Sequence, residues 1–465
     1  MIDALNRDVP FDQFVVEQIA GDLLHNATSA QRIATGFHCN TMLDPGVRWE
    51  SIVERVNTTG TVFLGLTLGC AQCHSHKTDP ISQREYYQLY AFFNEASITS
   101  FERPIADSTQ ETPQTSLVMK QSPQSTYILQ RGDPAQPGDL VKPAVPAAFN
   151  WSPPVIPSGY RTRHDLAKWL MSSTNPLTAR VTVNRVWQRY FGLGLVDTEN
   201  DFGVQTPPPS HPELLDWLAL DFRGNGWRLK RLHRLIVTSE TYRQSSQVRA
   251  DLTELDPRNR WLARQRRLRL EAEIIRDVAL SSSSLLSRKI GGPSVFPPQP
   301  DGILDNRATP ATWTVSKGED QYRRGMYTWI WRLTPHPHFT VFNGPDNVTT
   351  CSRRDRSNVS LQALTLLNDP TFLQCAQRLG HHCSQISDQD DTSRIKSLFA
   401  TCMSRRPAEK ERMILLRLLN AQRAELSPAE ARKITGRDTD DLTDEAAWVV
   451  ICRAIMNTDE FITRE

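Results

Sequence analysis

At 465 residues, 39% of them hydrophobic, the chain is longer than one hydrophobic core usually organises, and two domains are expected. Its 54 Lys and Arg nearly balance 52 Asp and Glu, so the net charge of +2 supplies no field for steering polyanions and counts against nucleic acid as a partner. No run of 18 apolar residues occurs, which leaves a membrane-spanning helix out of the reading.

In chain order, the first hundred residues read as helices. Phe11, Phe14, Val15, Ile19 and Leu23 recur at three- and four-residue steps after Asp8 and Pro10. A second helix starts near Thr28, and a third begins near Val47, with Trp49, Ile52, Val53, Val56, Phe63 and Leu66 on its apolar stripe. Asp79-Pro80 then breaks the chain, and Ser82 with Glu85 forms a capping box that opens a helix carrying Tyr86, Tyr87, Leu89, Tyr90, Phe92 and Phe93.

From Ser97 to Ser158 the composition changes. Ten of the 30 prolines fall between Pro104 and Pro157, a density that blocks helices and central strands. Ser116 to Met119 and Thr126 to Leu129 read as edge strands, and Arg131-Gly132-Asp133 as a turn.

Helices resume at Leu166, Trp169 and Leu170, followed by one capped by Asn175 with Pro176 at its first position and one opened by Ser210-His211-Pro212-Glu213. Further helices are expected over Leu229 to Tyr242, Leu262 to Leu285 and Ser360 to Leu379, with a last group between Arg394 and Phe461. Gly291 to Thr350 is rich in Gly and Pro, with Trp329 and Trp331 in a short strand. The expected class is mainly α: two helical domains, residues 1–100 and 159–465, joined by a proline-rich extended connector, residues 101–158, with a few short strands.

Cys70-Ala71-Gln72-Cys73-His74 carries the chemistry. Covalent attachment of a c-type haem needs two thiols to add across two vinyl groups and a histidine directly after the second to ligate the iron. One five-residue stretch supplies all three. A structural zinc site would need four ligands, and the nearest candidates for a second pair, His76 or His38 with Cys39, have unusual spacing. A disulfide oxidoreductase would place Cys-x-x-Cys after a βαβ pattern, which is missing here. For the second face of the iron, His38 is the first candidate and Met42 the next, with His211 or His336 as distant ones; His76 is too close to His74 to share one iron across the ring. The other cysteines, Cys39, Cys351, Cys375, Cys383, Cys402 and Cys452, are irregularly spaced and read mostly as small, buried, free side chains. The charged run Arg264, Arg266, Arg267, Arg269, Glu271, Glu273, Arg276 and Asp277 reads as a helix face laced with ion pairs rather than an anion site.

Longer motifs carry a resemblance. Asn6 to Asp12, Gln18 to Leu23, Gly36-Phe37-His38 and Leu64 to Lys77 with Asp79-Pro80-Ile81 resemble the second cytochrome-like domain of the planctomycete cytochrome C domain proteins. Leu166 to Leu170, Asn175 to Val181, Asn184 to Trp187, Ser210 to Trp217 and Gln362 to Pro370 resemble the planctomycete-specific domain that follows it. This implies a secreted protein whose domains have no characterised biochemical role. It also implies an N-terminally truncated chain, because such proteins start with a signal peptide, and Met1 to Arg7 lacks its basic and apolar parts. The stretch Met42 to Gly46 is shorter than is usual there, Cys39 stands where arginine is common, and Asn343 where aspartate is common.

The resulting expectation is an extracytoplasmic, periplasmic or secreted, c-type haem protein. Cys70, Cys73 and His74 would hold the haem, and His74 and His38 would ligate the iron. Its role would be electron transfer or a redox accessory role with a protein partner that the sequence does not identify. The rival expectation is a secreted enzyme or surface interaction protein in which the motif is a structural metal site.

Overall fold

The computed structural model describes residues 1–40, 47–102, 115–149, 161–252, 254–305, 311–347, 351, 353–386, 390–439 and 441–464. Among the described residues 52% are helical and 7% lie in strands, all in small antiparallel pairs, so the class is mainly α as the periodicity predicts. The chain divides into two compact units, Met1–Arg266 and Arg267–Glu465.

The first unit contains α1 (Ile2–Asn6), α2 (Phe11–Ala20), α3 (Ser29–Ala34), α4 (Arg48–Thr59), α5 (Gln83–Asn94), α6 (Arg163–Leu170), α7 (Thr178–Phe191), α8 (Pro212–Gly224) and α9 (Leu229–Val237). Val15, Ile19, Ile52, Val56, Phe92, Phe93 and Trp169 bring α2, α4, α5 and α6 into one core. Burying side chains of this size contributes about 1.5–3 kcal/mol each before conformational entropy is charged. A second core joins Trp187 and Phe191 of α7 to Leu215, Leu218 and Phe222 of α8 and Leu232 and Ile236 of α9. Within the first core a buried arginine ties α6 to the end of α2: Arg163 on α6 donates to the Ile19 carbonyl at 2.6 Å and pairs with Asp22 at 2.7 Å.

The predicted Ser82–Glu85 capping box forms, and at the start of α3, the helix expected near Thr28, Thr28 forms another with Gln31. In the proline-rich segment the strand read over 116–119 is β2 (Thr115–Gln121), paired with β1 (Ala96–Glu102), while β3 (Thr126–Leu129) pairs with β4 (Pro137–Val141). β4 begins at a proline, whose missing N–H is tolerable at a strand's first position.

The second unit contains α10 (Ala272–Ser282), α11 (Pro337–Val341), α12 (Ser360–Asn368), α13 (Pro370–Gln385), α14 (Asp391–Met403), α15 (Glu409–Glu425), α16 (Pro428–Thr435) and α17 (Thr443–Met456). Its core centres on Trp448, Ile451 and Cys452 of α17 against Phe372, Cys375 and Leu379 of α13.

Three predicted boundaries move. The helix expected over 262–285 is confined to α10, because β5 (Leu268–Arg269) pairs with β6 (Thr463–Arg464), a tertiary pairing that overrides local helix preference. The helix expected over 360–379 is two, since Pro370 cannot continue α12 and instead occupies the first turn of α13, which Asp369 caps through the Thr371 N–H at 2.9 Å. Asn175 accepts from the N–H groups of Leu177 and Thr178, so Pro176 precedes α7 rather than starting it. Trp329 lies outside a strand, although its N–H donates to the Val295 carbonyl at 2.8 Å.

Candidate functional site

The motif is carried by a short 3-10 turn, Leu68–Gln72, that follows α4 and a single π-helical turn, Gly60–Leu64. Leu68 and Ala71 point into the core while Cys70, Cys73 and His74 are exposed, an alternation that anchors the turn and leaves its reactive groups outside. Both thiols are free.

His74 Nδ1 lies 2.7 Å from the Ser75 carbonyl oxygen. A carbonyl can only accept, so Nδ1 carries the proton and donates, and the Nε2 lone pair is left available. Fixing the outer nitrogen in this way is the usual preparation of a metal-ligating imidazole. Two thiols and an imidazole nitrogen, all exposed and all within five residues, fit the attachment points of a c-type haem.

The turn is held from several sides. Tyr87 Oη and Gln83 Nε2, both on α5, donate to the Gln72 carbonyl at 3.0 and 3.1 Å, and Gln83 Nε2 also reaches the Leu129 carbonyl at 3.1 Å. That second bond draws the turn after β3 over the motif. Gly132 there has φ +78°, and a Cβ on it would stand 2.9 Å from Cys73 Sγ, so the close approach requires glycine. Downstream, the buried Asp79 donates its N–H to His76 Nδ1 at 2.9 Å, and its carboxylate accepts from the Val204 N–H at 2.8 Å. Upstream, Arg185 on α7 donates to the carbonyls of Thr61 and Val62, and the Phe202 N–H donates to the Gly65 carbonyl at 2.6 Å. Sequence reading gave no role to Arg185, Gln83 or the 202–204 loop, because these holding contacts link residues far apart in the chain.

His38 is buried elsewhere. Its ring packs on Phe37 and Phe93, with centroids 5.2 and 5.3 Å apart, and its carbonyl accepts from Arg55 Nε at 2.9 Å. Burial, reinforced by the positive charges of Arg55 and Arg163, lowers its pKa to about 3, so the ring is neutral, and its Nε2 has no hydrogen-bond partner among the described residues. Phe93 lies ten residues along α5 from Gln83, about 15 Å on the helix axis. The structure therefore exposes Cys70, Cys73 and His74 on one turn and buries His38 towards the far end of α5. Met42 lies outside the described residues.

The two distant candidate histidines have partners of their own. His211 Nδ1 lies 3.1 Å from Ser210 Oγ, and His336 Nε2 lies 3.0 Å from the Pro298 carbonyl. The charged run from 264 to 277 is largely paired, with Arg269 on Asp459, Glu273 on Arg354 and Asp277 on Arg324. Among the described residues no group of three His, Cys, Asp or Glu side chains is assembled that could hold a metal ion.

Two family models match the chain. The one described as protein of unknown function (DUF1553), PSD1, matches residues 162–419, and the one described as protein of unknown function (DUF1549), PSCyt2, matches residues 1–97. Both families are typical of planctomycete proteins with cytochrome-like domains. Comparisons with curated proteins and with solved structures returned no match. The motif lies in the 1–97 segment, whereas Arg185 and the 202–204 loop that hold it belong to the 162–419 segment.

Proposed function

The chain belongs to the family of proteins of unknown function DUF1553, and from that premise we propose that it is an extracytoplasmic c-type haem protein with an electron-transfer or redox accessory role. Cys70 and Cys73 are the thioether attachment points, and His74 Nε2 is the iron ligand. The observation that carries this is the 2.7 Å contact from His74 Nδ1 to the Ser75 carbonyl, which frees Nε2 beside two exposed thiols. When bound, the haem supplies a one-electron iron couple. The chain's own residues supply the rest. Gln83 and Tyr87 fix the Gln72 carbonyl between the two cysteines, Asp79 and Arg185 hold the flanks of the loop, and Ser75 keeps the His74 ring in the ligating tautomer.

His38 is the candidate for the other axial position. A neutral ring with an unpartnered Nε2 supports it, and its distance along α5 from the motif counts against it, so ligation by His38 requires the ring to leave its pocket on Phe93. Attachment of this kind takes place after export, which is why the proposal includes an extracytoplasmic location.

The test is haem staining on a denaturing gel of protein made with haem maturation machinery. Wild type should stain, and Cys70→Ala with Cys73→Ala should abolish the stain; undiminished staining of the double variant overturns the assignment. Stoichiometric zinc in place of iron would favour a structural metal site. His38→Ala should turn a low-spin spectrum high-spin if His38 is the second ligand, and an unchanged spectrum removes it.

A further inference from the structure

We propose that a cavity beside α5 in the first unit binds a small aliphatic organic anion. The site does not depend on the haem reading. Its volume is about 860 Å³, within the range of small-molecule sites, about 300–1,000 Å³.

One wall is a face of α5, formed by Gln88 and Ala91 and continued by Glu95 at the helix C-cap. The opposite wall is the chain entering β3, Pro123 to Thr126, and the chain through and after β4, Leu140 to Ala144; Arg161 completes the lining. Two features of this lining point to a ligand. Leu140 is 54% exposed although it is a large apolar side chain, and with the prolines it gives the cavity an exposed apolar surface beside the buried Ala91 and Val141. Lys142 and Arg161 also line it, and neither has an acidic partner within ion-pair distance among the described residues, in contrast to Arg84 on Asp139 or Arg180 on Asp216.

Glu95 contributes the one negative charge among the described lining residues. It follows the last turn of α5, where the helix dipole disfavours a carboxylate, but Arg48 occupies the same helix end, donating to the Asn94 and Ala96 carbonyls at 2.6 and 3.0 Å. Two cations against one carboxylate leave an excess positive charge for a single ligand anion. No aromatic ring is among the described lining residues, which therefore offer no stacking platform for a base or a sugar. An acid with an aliphatic body satisfies both the charge and the apolar wall.

The experiment is calorimetric titration of the full-length chain with octanoate at low salt, with 1-octanol as the uncharged probe of the same body. Octanoate should bind at one site per chain and at least tenfold more tightly than octanol. The double variant Arg161→Gln, Lys142→Gln, at solvent-accessible positions, should weaken octanoate at least tenfold and leave octanol unchanged, with its melting transition as the check of folding. Leu140→Gln should weaken both probes. No octanoate binding, equal affinity for the two probes, or octanoate affinity unchanged in the double variant each overturns the proposal. Because the titration needs no attached haem, loss of haem staining and loss of octanoate binding are separate outcomes.

Discussion

The motif turn of the first unit and the core of the second place cysteine and histidine in opposite surroundings. In the first, Cys70, Cys73 and His74 stand exposed on a short turn whose neighbours Leu68 and Ala71 are buried. In the second, Cys375 is buried in the α13–α17 core, where burial pushes its thiol up to about 11, and Cys452 is raised for the same reason. His336 and His338 are likewise buried, their pKa values lowered to about 4 and about 3 by loss of solvation. The thiolate is the reactive form, so burial makes the second set inert and exposure keeps the first available. Residue type alone does not identify a functional cysteine in this chain; its surroundings do.

The largest test of that contrast is thiol labelling of the haem-free protein under native conditions. Cys70 and Cys73 should react at once with maleimide, and Cys375 and Cys452 roughly a thousandfold more slowly, because their labelling waits on opening of the core. Labelling of all four at similar rates, read by mass spectrometry, would erase the comparison.

Next in size, Trp448→Ala should cost the second unit about 3–5 kcal/mol in urea unfolding, as expected for a fully buried aromatic, and leave native labelling of Cys70 and Cys73 unchanged.

A smaller change sharpens the first region. A Cβ at Gly203 would fall 2.4 Å from the Asp79 carboxylate, so Gly203→Ala should displace the bond from the Val204 N–H and cost about 1–3 kcal/mol. The role of Asp79 in holding the loop fails if unfolding and Cys73 labelling both stay at wild-type values.

Acid should weaken the second unit through its two buried imidazoles. With folded pKa values of about 4 and about 3 for His336 and His338, the unfolded chain takes up these protons first as pH falls below about 6.5. The stability that depends on neutral rings is complete above pH 6.5 and is lost as pH falls towards 4 and then 3, at about 1.4 kcal/mol per pH unit for each ring. The first unit holds His38, lowered to about 3, and the half-buried His164 and His233, which burial also lowers, so both units should lose stability between pH 6.5 and 4, and His338→Gln should flatten the second unit's slope by one ring's share. Urea midpoints at pH 7, 6 and 5 measure this. At the small end, Arg84→Ala removes a solvent-exposed pair with Asp139 and should leave the melting temperature within error.

Much of the molecule was determined by local chemistry and therefore legible in the sequence. The apolar spacing of Phe11, Val15 and Ile19, the Ser82–Glu85 capping box and the strand at 126–129 depend on residues close together in the chain. So does the order Cys70, Cys73, His74, because attachment chemistry needs those groups adjacent.

Tertiary structure decided what depends on residues far apart. Pairing of Leu268–Arg269 with Thr463–Arg464 took a stretch away from the helix its pattern favours. Packing on Phe93 buried His38 at the far end of α5 from the residues that hold the motif. Arg185 and the Val204 N–H, more than a hundred residues downstream, secure the loop that carries the two cysteines. Backbone donors and acceptors must be satisfied by whatever the folded chain brings near, and no local pattern in the sequence records that partner.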